Sequence, residues 1–187
     1  MVDSDRIAAT ACVDHDQEMM VSMNEIVTSM EAQMNKRGYF GIGIFHCKNE
    51  TNVGTLWRSA AILGASFIFT IGKRYKTQAS DTTKAPRHIP LLHFKDYDDF
   101  FQHVPYDCPV IAVELSDRSV PLEKFVHPER CVYLLGAEDD GIPDSILNRC
   151  RNTVQLIGDI CYNVSTAGSI VMYDRAVKSK GGMDYDI

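Results

Sequence analysis

Apolar residues fall along this chain in two rhythms, and the rhythms alternate. Continuous apolar runs at 38–46 (GYFGIGIFH), 66–72 (SFIFTIG), 109–115 (PVIAVEL) and 130–136 (RCVYLLG) predict strands buried on both faces. Shorter runs, HIPLLHF and TVQLI, predict two more, with SDRSVP as a turn. Between them the period changes to that of a helix. From Asn52, the set Val53, Leu56, Trp57, Ala60, Ala61, Leu63 and Gly64 keeps the three-and-four spacing of a helix packed on a core, with Asn52 or Thr51 as its cap. KDYDDFFQHV, PDSILNRC with Pro143 in its first turn, and VSTAGSIVMYDRAV (164–177) predict three further helices. Strands separated by helices imply an α/β fold, a mainly parallel sheet with helices on both faces.

The first 37 residues stand apart. Within them Met23, Ile26, Val27, Met30 and Met34 share one helical face, and Gly38 supplies a stop. This segment is expected either as a helix packed on the domain or on a second copy, or as an acidic extension. The domain itself is expected over 38–180, with 181–187 as a tail.

At 187 residues the chain is large enough for one well-packed core. Six cysteines lie far apart with no C-x-x-C pair, which suggests neither a zinc site nor a disulfide scaffold and fits a reducing, cytoplasmic setting. No apolar run approaches the length needed to span a bilayer. The net charge of −6 argues at first against a polyanionic partner. Its distribution changes that picture, because residues 1–37 hold seven acids and three bases, which is −4, and the remainder carries only −2. Within that remainder the stretch 72–88 has Lys73, Arg74, Lys76, Lys84 and Arg87 against Asp81, with Tyr75 and His88 beside them. Such a cationic, aromatic loop suits a phosphate-and-base surface, although a solvated loop between strands has the same composition.

Familiar catalytic signatures are missing. GIGIF (41–45) has G-x-G spacing without a third glycine, so the dinucleotide fingerprint of an oxidoreductase fails. There is no Walker loop, G-x-S-x-G elbow or H-E-x-x-H helix, and no metal site is expected. Three loops after strands do combine small and polar residues: NETNVG leading to Arg58, LLGAEDDGIPDSIL (134–147) and QLIGDICYNVSTAGSI (155–170). In an open α/β sheet such loops meet beyond the C-terminal strand ends, where ligands bind. On its helix alone, Arg58 reads first as an arginine whose stem lies along apolar surface and whose head reaches water.

These loops resemble the motifs of the SpoU (TrmH-like) branch of the SPOUT RNA methyltransferases. The first resembles Asn52, Gly54 and Arg58; the second, G-x-E-x-x-G and an aliphatic residue, resembles Gly136, Glu138, Gly141 and Ile142; the third resembles Asn163, Val164, Ser165 and Ala167. They occur in order over residues 38–178. Two departures stand out: Cys161 occupies a position where most relatives carry serine, and the stretch from Gly158 to Asn163 is one residue short.

The resemblance implies S-adenosylmethionine held in a deep C-terminal trefoil knot, a homodimer with a shared active site, and methylation of a ribose 2'-hydroxyl in transfer or ribosomal RNA. A catalytically inactive RNA-binding protein with the same fold is the alternative. Arg58 would bind phosphate and stabilise charge on the 2'-oxygen, Glu138 would orient it or the cofactor loops, and Asn52 and Asn163 would hold loop geometry or the ribose. Val113, Glu114, Gly136, Gly141, Ile142, Leu156, Ile157, Cys161, Ser165 and Ala167 are expected around the cofactor, with simple packing as the other reading of Cys161. Lys73, Arg74, Lys76, Lys84 and Arg87 are expected to face RNA.

Overall fold

The computed structural model describes residues 38–75, 89–137, 139–158 and 160–179. They belong to one compact unit that begins at Gly38. The amphipathic segment 23–34, residues Lys76, Lys84, Arg87 and Glu138, and the tail 181–187 lie outside the described residues.

Each continuous apolar run forms a strand: β1 Phe40–Phe45, β2 Phe67–Ile71, β3 Leu91–Phe94, β4 Val110–Val113, β6 Cys131–Leu135 and β7 Asn152–Gln155. A two-residue strand, β5 Val120–Pro121, pairs with the end of β7 where the sequence reads as a turn. Two residues carry too little pattern to register as a strand. The sheet has the order β3-β2-β1-β6-β4-β7-β5, and every pairing is parallel. Because all C-terminal strand ends therefore face one way, the loops that follow them collect on one edge.

Alternation along the strands feeds two cores. Ile42, Ile44, Tyr133 and Leu135 point to the face covered by helix α1 (Glu50–Leu63) and helix α4 (Val164–Ser179). Phe67, Phe69, Val132 and Leu134 point to the other, where α2 (Tyr97–His103) and the short α3 (Asp144–Leu147) lie with Phe100, Ile146 and Leu147. Gly41 and Gly43 sit beneath the rings of Phe67 and Phe69: a Cβ at Gly41 would fall 2.2 Å from the Phe67 ring, and one at Gly43 would fall 2.4 Å from that of Phe69. The G-x-G pattern of β1 thus serves aromatic packing across the β1–β2 pair.

Helix α1 buries Asn52, Val53, Leu56, Trp57 and Ala60, and Trp57 donates its indole N–H to the Ile89 carbonyl at 3.1 Å. It begins two residues earlier than its apolar period suggests. Asn49 is the cap, accepting from the Thr51 amide at 3.0 Å, so neither Thr51 nor Asn52 has that role. Pro143 likewise immediately precedes α3 and caps it without a side-chain bond. Among the described residues no helix is long and apolar enough to cross a membrane.

Candidate functional site

Three adjacent strands, β6, β4 and β7, end beside one another, and the loops that follow them enclose a cavity of about 860 Å³. Its wall comes from Val113–Asp117 at the end of β4, from Leu135–Ala137, Asp139–Ile142, Asp144 and Leu147 at and beyond the end of β6, and from Gln155, Leu156, Gly158, Ile160–Val164 and Ala167 at and beyond the end of β7. The volume lies within the range of pockets that take a nucleoside-sized ligand.

The β6 loop is a tight turn. Ala137 and Gly141 exchange both backbone hydrogen bonds, and Gly141 takes φ +61°, a conformation that glycine adopts without strain. Gly136 is equally constrained, since a Cβ there would fall 2.7 Å from the Gly141 carbonyl carbon and 2.8 Å from Glu114 Oε2. Glu114 ties this turn to β4: Oε2 accepts the Ile142 amide at 2.9 Å, and Oε1 accepts that of Leu115 at 3.1 Å. A carboxylate accepting backbone amides is a charge-assisted staple. It leaves backbone, rather than side chain, lining that part of the cavity.

Asn163 organises the third loop. Its Oδ1 caps α4, accepting from the Ser165 hydroxyl at 2.7 Å and the Ser165 amide at 3.0 Å. Its Nδ2 donates to Asn52 Oδ1 at 3.1 Å, which joins the start of α1 to the cavity wall across 111 residues of chain. Asn52 is buried for this contact.

Val113, Glu114, Gly136, Gly141, Ile142, Leu156, Cys161, Asn163 and Ala167 therefore line one space. Ile157 and Ser165 do not. Past the end of β7 the alternation turns Leu156 inward and leaves Ile157 77% exposed, its carbonyl accepting from Tyr162. Ser165 is buried because its hydroxyl serves the helix cap. Arg58 lies on the exposed side of α1, makes no hydrogen bond or ion pair among the described residues, and is not part of the cavity wall of its own chain. Lys73 and Arg74 are exposed beyond β2, with Lys73 Nζ donating to the Lys48 carbonyl at 3.0 Å.

Other wall residues were not singled out by the sequence. Asp117, Asp139, Asp140 and Asp144 join Glu114, so five acids face the cavity, and no described wall residue is basic. The run AEDDG was the visible signal for Asp139 and Asp140 alone. Lys48, beyond β1, pairs with Asp139, and Arg118 lies 3.5 Å from Asp144. On the opposite face Tyr97 stacks on Phe45 with centroids 4.2 Å apart. Its buried hydroxyl has no hydrogen-bond partner among the described residues, and burial, with lesser contributions from Cys150 and Glu114, pushes its pKa up. Among the described residues no acid, histidine or cysteine cluster is arranged to hold a metal ion.

The family model of the SpoU rRNA methylases matches residues 40–173, more than two thirds of the chain and all three loops. The chain belongs to the SpoU rRNA methylase family. Solved structures share the fold at low identity. The AdoMet-bound rRNA methyltransferase of Sinorhizobium meliloti is 21% identical with a TM-score of 0.65, covering 76% of this chain and 57% of its own. The SpoU methyltransferase AviRb of Streptomyces viridochromogenes is 16% identical with a TM-score of 0.69, covering 78% and 61%. The TrmH/SpoU tRNA modifying enzyme of A. aeolicus is 18% identical with a TM-score of 0.67, covering 77% and 78%. The chain thus spans about 57–61% of the first two proteins' lengths. No curated protein matches it in sequence. This SpoU fold accounts for the clustering of glycines and asparagines at one edge of the sheet.

Proposed function

We propose that this protein transfers a methyl group from S-adenosylmethionine to a ribose 2'-hydroxyl of transfer or ribosomal RNA, as a cytoplasmic homodimer whose C-terminal helix completes a trefoil knot. The observation that carries this reading is the convergence of the Asn52–Asn163 link and the Gly136–Gly141 turn on one cavity at the strand ends. The cavity suits the cofactor in three respects. It has the volume of a nucleoside site, a wall at Gly136 and Gly141 without side chains, and acids that complement a sulfonium and an ammonium group. Two solved relatives, the S. meliloti enzyme and AviRb, are themselves described with AdoMet bound.

Bound there, S-adenosylmethionine supplies an electrophilic methyl group on a positively charged sulfur. The chain's own residues do the rest. Gly136, Gly141, Ile142, Leu156 and Ala167 hold the cofactor, and Glu114 fixes the turn they form. A ribose hydroxyl is a weak nucleophile until its proton leaves, so charge developing on the 2'-oxygen must be stabilised. Arg58 has the chemistry for this, a permanent charge and a planar fork that can hold a phosphate and the 2'-oxygen together. Since it stands on an exposed helix side and outside its own chain's cavity, it serves the cavity of a second copy. Lys73 and Arg74, with the rest of the basic stretch 72–88, contact the RNA backbone.

A second reading, an RNA-binding protein that no longer methylates, is favoured by Cys161. An exposed thiol stands in the cavity wall, a weaker donor than the hydroxyl usual in the family.

Single-turnover transfer of labelled methyl to RNA, followed by nucleoside mass spectrometry, tests the proposal. A 2'-O-methylated nucleoside is expected from the wild type. Arg58→Ala is expected to keep S-adenosylmethionine affinity within a few-fold and lower transfer by about 100-fold or more, comparable with loss of one preorganised donor. Cofactor binding without any transfer would favour the second reading, and unchanged turnover in Arg58→Ala would return that residue to the surface.

A further inference from the structure

We propose that Glu114, Asp117 and Asp140 make the cavity selective for a cationic ligand, so that it holds S-adenosylmethionine and rejects the uncharged-sulfur product, S-adenosylhomocysteine; this rests on the cofactor reading above. The two molecules share every hydrogen-bonding group. They differ by one methyl and by the positive charge on sulfur, which is lost when the methyl leaves. A site lined by neutral groups would hardly distinguish them, because a methyl contact alone discriminates weakly.

This cavity is not neutral. Five acids line it and no described wall residue is basic. Two of the five have cationic neighbours, Asp139 through Lys48 and Asp144 through Arg118. Asp117 and Asp140 form no ion pair among the described residues. Among the described residues Glu114 is bonded only to backbone amides, which satisfy its oxygens without cancelling its charge. Three uncompensated carboxylates therefore act on whatever enters, and Glu114 is the one built into the wall, packed against Gly136 and Gly141. A unit charge several ångström from a carboxylate in a wet cavity gains about two- to fivefold in affinity per acid. Three acids acting on the sulfonium favour the cofactor by about tenfold or more, and the thioether product leaves more readily.

Calorimetry of the full chain with S-adenosylmethionine and with S-adenosylhomocysteine, at low salt and at high salt, tests this. The wild type is expected to bind the cofactor about tenfold tighter than the product, and high salt is expected to compress that ratio. Glu114→Gln retains an acceptor for the Ile142 amide while removing the charge. Asp117→Asn and Asp140→Asn change exposed side chains that the fold does not need. Each substitution should reduce the preference about two- to fivefold: Asp117→Asn and Asp140→Asn through cofactor affinity while product affinity holds nearly constant, and Glu114→Gln, whose carboxamide cannot accept from both the Ile142 and Leu115 amides, as a change in the ratio of the two affinities alone. Equal binding of both ligands by the wild type, or a preference that survives all three substitutions, overturns the selectivity and leaves the cofactor site in place. Binding of neither ligand overturns the cofactor reading and the selectivity together.

Discussion

The two ends of the sheet both carry clusters of polar side chains, and those at the C-terminal end line a cavity. At the N-terminal end of β6, Arg175 is buried. It donates to the carbonyls of Pro128 at 2.6 Å and Glu129 at 2.7 Å and to the Tyr133 hydroxyl at 3.2 Å, with its guanidinium over the Phe40 ring. His127 lies between the Tyr133 hydroxyl at 2.5 Å and Asp174 at 2.8 Å, and Lys178 completes the group, 2.7 Å from Asp174. Every polar group there finds a partner within the fold. At the C-terminal end fewer partners are at hand: carboxylates line the cavity, two of them with cationic neighbours, and Arg58 projects from α1 with no hydrogen bond or ion pair among the described residues. A polar cluster that closes on itself locks helix to sheet. One that stays open at the ends of parallel strands is available to a ligand.

The largest expected effect is at the open end. Gly136→Val places branched carbons where a Cβ already meets Gly141 at 2.7 Å and Glu114 at 2.8 Å, so the turn that lines the cavity must shift. S-adenosylmethionine binding is expected to fall by about 100-fold or more, while overpacking of an edge loop costs about 1–3 kcal/mol of stability. Calorimetry beside thermal unfolding checks both. Undiminished binding would place the cofactor elsewhere and erase the contrast between the two ends.

Substitution at the closed end should do the reverse. Arg175→Met keeps much of the apolar stem but strands the Pro128 and Glu129 carbonyls, at a cost of about 2–4 kcal/mol. Denaturant unfolding reads that loss, and cofactor affinity of the folded fraction should stay within about twofold. A large drop in affinity at unchanged stability would show that the closed network acts on the site.

The sheet was legible in the chain because strands buried on both faces leave continuous apolar runs, and its parallel sense followed from the helices between them. Tertiary contacts were not. Asn49, rather than Asn52, caps α1, since Asn52 is taken by Asn163, a residue 111 positions away that no local period can reveal. Of the cavity wall, the motif glycines and asparagines stood out through their spacing. The four aspartates did not, because exposed aspartates in loops look alike until the topology brings them to one space with Glu114, which was expected there. Ile157 was misplaced for a related reason: the loop after β7 carries an apolar residue outward, which alternation shows only once the strand's last residue is known.

The smallest expected effect belongs to His127 and separates the two ends by pH. Burial is the first cause that holds its pKa below the usual histidine range, with Arg175 and Lys178 adding to it and Asp174 opposing. A neutral ring satisfies these bonds: Nε2–H donates to Asp174, and Nδ1 accepts from Tyr133, whose oxygen in turn accepts from Arg175. The unfolded chain, with an ordinary histidine, takes up a proton near pH 6.5, and the folded one does so only at lower pH. The stability that His127 contributes is therefore fully present above about pH 6.5 and is lost as pH falls from there through the folded pKa. Thermal unfolding from pH 8 to pH 5 should show Tm falling below about 6.5 in the wild type, and a smaller fall in His127→Gln, where no proton is taken up at that position. If the two profiles run parallel, His127 is not the group that titrates in this range, and the closed end carries no pH response of its own.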